Sequence, residues 1–223
     1  WAISKIGALK LFVGLVGAQM VTSLLWDYYY ENTPITILRI VGAILAFSGG
    51  FFYVVIYTLY LKRRTIQNIV IGGAAGAFPP LVGYAAISNN LTLEAIYLFL
   101  IIFFWTPPHF WALAIMIKDD YEKANIPMLP VVKGIKNASL QILLYSILLV
   151  LITTLTVTIS SSLGWIYVIS SIILGAILII MAFQLYKKQD RASAVSIYKY
   201  SLLYLFLLIG FVMADSSIKY LEI

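Results

Sequence analysis

Long apolar runs separated by short polar segments make up most of this chain. Seven runs have the roughly 20 residues needed to cross a bilayer; they cover about 3–25, 37–61, 66–88, 94–117, 137–160, 165–186 and 198–215. The polar segments between them are too short to form a soluble domain. Because unpaired backbone groups are costly in lipid, the pattern predicts an all-α polytopic transmembrane helical bundle, with 1–223 as one domain.

The composition agrees with this pattern. Hydrophobic residues make up 62% of the chain and charged residues 11%, against about 25% charged in soluble domains. The absence of cysteine excludes disulfides and thiolate metal sites. The lipid bilayer is the predicted environment, and no nucleic-acid partner is expected.

The basic residues are concentrated on one side of the predicted spans. That side carries thirteen of the fifteen lysines and arginines, and the other side carries Arg39 and Lys219. By the positive-inside rule, this asymmetry predicts a cell-membrane protein with cytoplasmic loops 62–65, 118–136 and 187–197. Topology alone explains Lys187, Lys188 and Arg191.

The start of the chain lacks the features of a complete N-terminus. The first residue is Trp1, and no signal-peptide pattern follows it. We therefore expect a fragment whose natural N-terminus lies upstream.

Small residues and prolines are expected to shape the bundle. The run from Gly72 to Ala77 consists of glycine and alanine, which let helices approach closely in lipid. The pairs Pro79–Pro80 and Pro107–Pro108 are predicted to kink or break their helices. Backbone groups freed in this way are tolerated where they line a cavity.

Two charged clusters on the predicted cytoplasmic side favour binding of a magnesium–diphosphate group. The adjacent carboxylates of Asp119 and Asp120 suit Mg²⁺, which takes one or two carboxylates together with substrate phosphates. Lys62, Arg63 and Arg64 are suited to clamp a diphosphate. Taken singly, the first cluster could be a solvated helix end and the second a membrane anchor. An acidic pair on the other side, Asp27 and Glu31, is interpreted as a solvated outer loop.

The single histidine, His109, lies within a predicted span. It precedes Asp120 by eleven residues, so a continuous helix would place both within roughly 20° of one face, about 16 Å apart. An ionisable residue inside a span indicates a functional site, where the imidazole would act as a base or ligate a metal such as haem iron. A hydrogen-bonded interior histidine is the alternative. Flanking aromatic residues, among them Trp105 and Trp111, would wall a flat aromatic substrate or belong to the core.

Two segments resemble a known family. YTLYLKRRTIQNIVIGGAAGAFPPLVGY (57–84) and FFWTPPHFWALAIMIKDDYEKANIPMLPVVKG (103–134) are similar to the protoheme IX farnesyltransferases (haem O synthases) of the UbiA-type prenyltransferase superfamily. The segment 200–215 fits the family's last helix. The resemblance implies transfer of a farnesyl group from farnesyl diphosphate to the 2-vinyl group of haem B, with Mg²⁺ as cofactor. It also suggests haem A synthase or terminal oxidase assembly factors as protein partners.

The resemblance also implies site residues. Asp119 and Asp120 match the second acidic motif and would hold the metal, and Lys62 and His109 join them as expected catalytic residues. Seven residues are expected to bind substrate: Tyr57, Arg63, Arg64, Asn68, Trp105, Trp111 and Lys118.

This chain departs from the family pattern at two points, which limits the residue roles that the resemblance implies for it. The family has nine helices, and its first acidic motif, N-x-x-x-D, precedes the point where this chain starts. We therefore expect half a metal site, and an inactive chain when it is taken alone. Met116 also stands where the D-x-x-x-D pattern has its first aspartate, which leaves the number of Mg²⁺ ions open.

Three other functions fit the sequence less well: prenyl transfer to another acceptor, a seven-helix receptor or retinal protein, and a transporter. A related prenyltransferase would act on a quinone precursor or a lipid, but the TPPHFW and IPMLPVVKG segments favour haem. A retinal protein needs a lysine in mid-helix, whereas the last span has only Lys199 at its start. A transporter would place ionisable groups near the midplane, whereas here they gather at one face.

Overall fold

The computed structural model describes residues 29, 40, 44, 47–88 and 90–221. The regular structure in the two long ranges is entirely helical. The helices are α1 Phe47–Leu61, π-helical over Phe52–Leu61, α2 Asn68–Ser88, α3 Leu93–Met116, α4 Lys118–Lys123, α5 Leu129–Val132, α6 Gly134–Leu155, α7 Trp165–Lys188 and α8 Arg191–Leu221. A 3₁₀ turn, Thr156–Thr158, extends α6.

Four segments in the described ranges are long and apolar enough to cross a membrane. They are Leu93–Met116, Gly134–Thr158, Trp165–Lys188 and Arg191–Ile218. The predicted polytopic helical bundle is thereby confirmed. The predicted span 66–88 forms α2, 37–61 is described only in part, and 3–25 lies outside the described residues, as do Asp27 and Glu31.

The four membrane-crossing helices pack in a closed ring, in which α3 contacts α6, α6 contacts α7, α7 contacts α8 and α8 contacts α3. Fully buried side chains fill the ring, including Tyr167, Leu178, Leu185, Ile197 and Tyr204. On the outside of the ring, α2 packs on α3 and α1 packs on α2. Helix α3 therefore belongs to both parts of the structure.

Buried hydroxyl groups join three helices of the ring. The Thr153 hydroxyl on α6 lies 3.0 Å from the Tyr204 hydroxyl on α8. Tyr167 on α7 donates its hydroxyl hydrogen to the Thr153 carbonyl at 2.7 Å. Because lipid offers no alternative partner, these bonds hold α6, α7 and α8 in one register.

A carboxylate near the end of α8 caps the start of α7. Asp215 is buried, and its Oδ2 accepts hydrogen bonds from the backbone N–H groups of Gly164 and Tyr167, the latter at 3.1 Å. Gly164 is the N-cap residue of α7. The bond satisfies N–H groups that the first turn of a helix leaves unpaired.

The predicted breaks at the proline pairs are wrong. Pro79 and Pro80 lie inside α2, and Pro107 and Pro108 lie inside α3, and both helices continue past them. Neighbouring helices and hydroxyl side chains tolerate proline within membrane helices. In α3 the Thr106 hydroxyl donates to the Ile102 carbonyl at 2.8 Å. This bond lies next to the two backbone hydrogen bonds that Pro107 and Pro108 cannot donate.

The predicted loop 187–197 is also much shorter in the structure. Helix α7 extends to Lys188 and α8 begins at Arg191. Gln189 takes the left-handed conformation with φ 54°, and Asp190 Oδ1 accepts the Ser193 N–H at 2.7 Å as a cap of α8. This hydrogen bond lowers the pKa of the exposed Asp190 carboxyl group. Gln189 and Asp190 alone therefore connect α7 to α8, in place of the predicted loop 187–197.

We predict that Gly175→Ala destabilises the ring. A methyl group at Gly175 on α7 would lie 2.6 Å from Val150 Cγ1 on α6. Overpacking of this kind costs about 1–3 kcal/mol. The matched control is Gly210→Ala on α8, where no atom lies within 4 Å of the added methyl group. This change should alter the free energy of unfolding by no more than about 1 kcal/mol, in the stabilising direction, because alanine favours a helix over glycine. Thermal unfolding in one detergent compares the two, and equal unfolding midpoints would contradict the described contact.

Candidate functional site

An apolar cavity of about 420 Å³ lies between α1, α2 and α3. Tyr53 and Tyr57 stack on one another at its α1 wall, with ring centroids 5.4 Å apart. The lining residues are Gly49, Gly50, Tyr53, Tyr57, Ile69, Gly72, Gly73, Ala75, Gly76, Pro79, Ile102, Trp105, Thr106 and Phe110. Of the residues expected to bind substrate, Tyr57 and Trp105 therefore line the cavity.

Glycines of α2 set the width of this cavity. A methyl group at Gly72 would lie 2.7 Å from Tyr57 Cε2, and one at Gly73 would lie 3.0 Å from Thr106 Cγ2. The small residues thus let α2 approach α1 on one side and α3 on the other. The packing role predicted for the glycine and alanine run is confirmed at these two positions.

The two charged clusters lie at the same end of the bundle. Helices α2 and α3 are antiparallel, because Tyr84 bonds to Glu94 and the Phe78 ring packs on the Phe99 ring at 5.7 Å. The start of α2 therefore lies beside the end of α3. The basic segment 62–64 directly precedes α2, and the acidic pair 119–120 directly follows α3.

The charged side chains at this end are accessible. Arg63, Arg64, Asp119 and Asp120 are exposed, and none of them makes an ion pair within the described residues. The Arg64 guanidinium lies 4.5 Å from the centre of the Tyr60 ring. This cation–π contact holds Arg64 against α1.

The acidic pair offers part of a metal site. The described residues contain no cluster of three or more His, Cys, Asp or Glu side chains. Two exposed carboxylates fit a Mg²⁺ ion that also takes water and substrate phosphate oxygens, and they do not form a complete protein cage.

A residue that the sequence analysis missed, Tyr121, lies in the same short helix as the acidic pair. It directly follows Asp120 and is partly buried against the core. Burial raises the pKa of Tyr121, so this phenol stays protonated and neutral. The ring of Tyr121 thus packs the acidic turn against the core.

The continuous helix predicted from His109 to Asp120 is wrong. Helix α3 ends at Met116, and Ile117 leaves the helical conformation with φ −117° and ψ 36° before α4 begins.

A second missed residue lies at this end, where Arg191 Nε donates to the Met116 carbonyl at 3.2 Å. Arg191 thus has a structural contact beyond the topological role assigned to it.

His109 is buried between aromatic rings and bonded to α8. Its ring stacks on Trp105 at 4.4 Å and on Tyr198 at 4.6 Å, and its Nδ1 lies 2.8 Å from Ser201 Oγ. No pattern in the sequence pointed to Tyr198 or Ser201. Both lie about ninety residues away from His109 in the chain.

Asn68 and Trp111 are buried and do not line the cavity. Asn68 Nδ2 donates to the Lys62 carbonyl at 3.3 Å, which joins α2 to the basic segment, and its Oδ1 has no partner among the described residues. Trp111 packs edge-on against Tyr145, with ring centroids 5.4 Å apart.

Comparison with known proteins gives a family match. A family model described as the UbiA prenyltransferase family matches residues 2–210. Three curated proteins named protoheme IX farnesyltransferase are similar to this chain. The protein of Gloeobacter violaceus is 55% identical over 75% of this chain and 55% of its own length. That of Neorickettsia sennetsu is 48% identical over 80% and 58%, and that of Thermus thermophilus is 52% identical over 81% and 29%.

The chain thus spans between about a third and three fifths of the length of these relatives. No solved structure matches the chain.

We predict that Gly72→Ala disturbs the Tyr57 wall, whereas Gly76→Ala is tolerated. Both glycines line the cavity from α2, but a methyl group at Gly76 would meet no atom within 4 Å. We expect Gly72→Ala to lower the free energy of unfolding by about 1–3 kcal/mol, because the Tyr57 ring must move.

The double variant Gly72→Ala/Tyr57→Ala tests whether the contact with Tyr57 causes the loss of stability in Gly72→Ala. Neighbouring residues in contact show coupling in a double-mutant cycle. Additive changes in unfolding midpoint, without coupling, would argue against the close approach of Tyr57 to Gly72.

Proposed function

The chain belongs to the UbiA prenyltransferase family, and from this premise we propose that the full-length protein transfers a farnesyl group from farnesyl diphosphate to the 2-vinyl group of haem B, giving haem O and diphosphate. The related proteins named protoheme IX farnesyltransferase, about 50% identical to this chain, support this choice among prenyl transfer reactions. Family membership also favours an enzyme over a transporter.

The observation that carries the proposal is an apolar cavity near a charged end of the bundle. Its volume of about 420 Å³ lies within the range of 300–1,000 Å³ usual for small-molecule sites. Its lining is almost free of polar side chains, which suits an isoprenoid chain. In our proposal the farnesyl chain lies in this cavity, and its diphosphate reaches the basic segment that follows α1.

The diphosphate is bound by cations from two segments. Lys62 and Arg63 contact its oxygens, and Arg64 and Lys118 add positive charge around it. Asp119 and Asp120 would hold Mg²⁺, which neutralises charge on the diphosphate when bound. These charges act on the oxygens that become more negative as the diphosphate leaves, an electrostatic contribution that is usually large in catalysis.

The haem would lie on the α3 side of the cavity. Trp105 and Tyr57, which line the cavity, shield the allylic carbocation from water. His109 is buried, stacks on Trp105 and does not line the cavity, so its contact with the haem stays a prediction. The vinyl group attacks the allylic carbon, and water then captures the resulting cation to give a hydroxyethylfarnesyl side chain. Asn68 and Trp111 stay predictions as substrate contacts, since neither lines the cavity.

The multi-pass bundle is proposed to lie in the cell membrane with its charged end in the cytoplasm. The concentration of lysine and arginine at this end supports that orientation. Haem A synthase and terminal oxidase assembly factors stay predictions as partners.

The direct test uses purified full-length protein with haem B, farnesyl diphosphate and Mg²⁺. We expect chromatography to show haem O that forms only when all three are present. Parallel reactions supply a quinone precursor or a lipid as acceptor. Prenylation of these acceptors without haem O would contradict the proposed substrate.

We predict that Lys62 and Asp120 lie on one substrate site. One magnesium–diphosphate cannot join groups more than about 20 Å apart, since its coordination distances are near 2 Å. Spin labels at Lys62→Cys and Asp120→Cys, in full-length protein without other cysteines, measure the distance. The pair Lys62→Cys and Ser217→Cys is the control: Ser217 lies near the far end of α8, about 39 Å along the axis from Arg191. Equally long distances for both pairs would rule out a shared site.

We predict that Asp120→Asn lowers haem O formation by about 10²–10³-fold, equivalent to roughly 3–4 kcal/mol, while the protein still folds. The loss follows from removing one charge that opposes the departing diphosphate. Asp27→Asn serves as the control, since Asp27 is predicted to lie in an outer loop. Near-normal turnover of Asp120→Asn at limiting Mg²⁺ would refute the assigned role.

A further inference from the structure

The imidazole of His109 is held on both faces and at one edge. Trp105, one turn earlier on α3, stacks on it with an interplanar angle of 17°, and Tyr198 on α8 stacks on it with an angle of 24°. Phe110 meets the ring edge-on at 5.2 Å. The ring therefore has little freedom to rotate, and its two nitrogens keep distinct surroundings.

Ser201 receives two hydrogen bonds from the same face of α3. Trp105 Nε1 donates to the Ser201 backbone carbonyl at 2.7 Å, and His109 Nδ1 lies 2.8 Å from the Ser201 hydroxyl oxygen. Trp105 also lines the apolar cavity, as does Phe110. The residue that binds His109 thus also fixes a cavity wall.

The direction of the His109–Ser201 bond follows from the single hydroxyl hydrogen of Ser201. The Tyr198 carbonyl oxygen, 2.7 Å from the hydroxyl oxygen, can only accept a hydrogen bond, whereas His109 Nδ1 can donate or accept, so donation of the hydroxyl hydrogen to the carbonyl satisfies all three groups. Towards His109 the hydroxyl oxygen can then only accept, so Nδ1 carries the proton. In a neutral imidazole the other nitrogen, Nε2, is left with a free lone pair. No described residue makes a hydrogen bond to Nε2.

We propose that Ser201 is a positioning residue that holds His109 as the Nδ1–H tautomer and so presents Nε2 as a proton acceptor. The proposal rests on the proposed farnesyl transfer, which releases a proton. The farnesyl C1–O bond breaks and its electron pair leaves with the diphosphate. The vinyl π electrons form the new C–C bond, water bonds to the remaining cationic carbon, and the proton lost from that water moves to Nε2.

His109 is the side chain of this protein best suited to accept the proton. His109 is the only histidine among the 223 residues, and histidine is the side chain whose ordinary pKa lies closest to neutrality. The aspartates at the charged end are proposed metal ligands and face negatively charged phosphates. A base on α3 separates the proton transfer from the diphosphate.

The tautomer can be read directly by nitrogen NMR. Full-length protein is labelled with ¹⁵N-histidine, and signals absent from the His109→Gln variant are assigned to His109. Above the pKa of the imidazole, we expect a protonated Nδ1 and an unprotonated Nε2. Finding the proton on Nε2 in the wild-type protein overturns the proposal, whatever the enzyme activity.

Three substitutions separate positioning from general stability. Ser201→Ala should lose the fixed tautomer, so that the two nitrogen signals average, and Ser201→Thr should retain it because the hydroxyl remains. The matched control is Ser196→Ala, on the same helix, where the exposed hydroxyl bonds only to the Ala192 carbonyl; its His109 signals should stay as in the wild type. A fixed tautomer in Ser201→Ala would overturn the role of Ser201.

Kinetics test the role of Nε2. General bases contribute typically 10²–10⁴-fold, so we expect Ser201→Ala to lower kcat about tenfold or more with KM for both substrates unchanged. A higher KM for haem with unchanged kcat would show a haem-binding brace and overturn the base assignment. Absence of haem O with wild-type protein refutes the proposed function instead, and it leaves the NMR result standing.

Discussion

Lipid neither donates nor accepts hydrogen bonds, and this constraint decides how the helices of this protein are joined. The Thr153 hydroxyl bonds to carbonyl groups of its own helix and also to the Tyr204 hydroxyl on α8, and the Tyr167 hydroxyl on α7 donates to the Thr153 carbonyl on α6. Each bond between two helices specifies a register as well as adding stability, because a shifted helix would leave a polar group unpaired in hydrocarbon. These bonds fix α6, α7 and α8 relative to one another, and α3 completes the ring by contacting α6 and α8.

Helix α3 divides its surface between two tasks. One side completes the polar and aromatic contacts of the ring through Trp105, His109 and Ser201. The other side packs on α2, and the glycines of α2 leave room for the cavity. A site supported by packed, hydrogen-bonded helices keeps its geometry better than one built on loops. The charged segments at the helix ends are more exposed, as suits groups that meet a phosphate and a cation.

The sequence predicted those features that depend on nearby residues. Spans such as Leu93–Met116 and Trp165–Lys188 agree with the predicted runs within two residues at each end, since length and hydropathy are properties of one segment. The continuous helix predicted from His109 to Asp120 is interrupted because one residue, Ile117, leaves the helical conformation. Ser201 could not be found at all, since its importance comes from packing between segments about ninety residues apart.

The cap on α7 has a consequence for the order in which the protein is made. Gly164 and Tyr167 leave the ribosome before Asp215, which follows Gly164 by 51 residues. Until the last helix has entered the membrane, the first turn of α7 lacks the carboxylate that satisfies its N–H groups. The cap at the start of α7 is thus completed only by the last part of α8. A nascent chain that stops short of Asp215 carries an unsatisfied helix terminus, which distinguishes it chemically from a finished one.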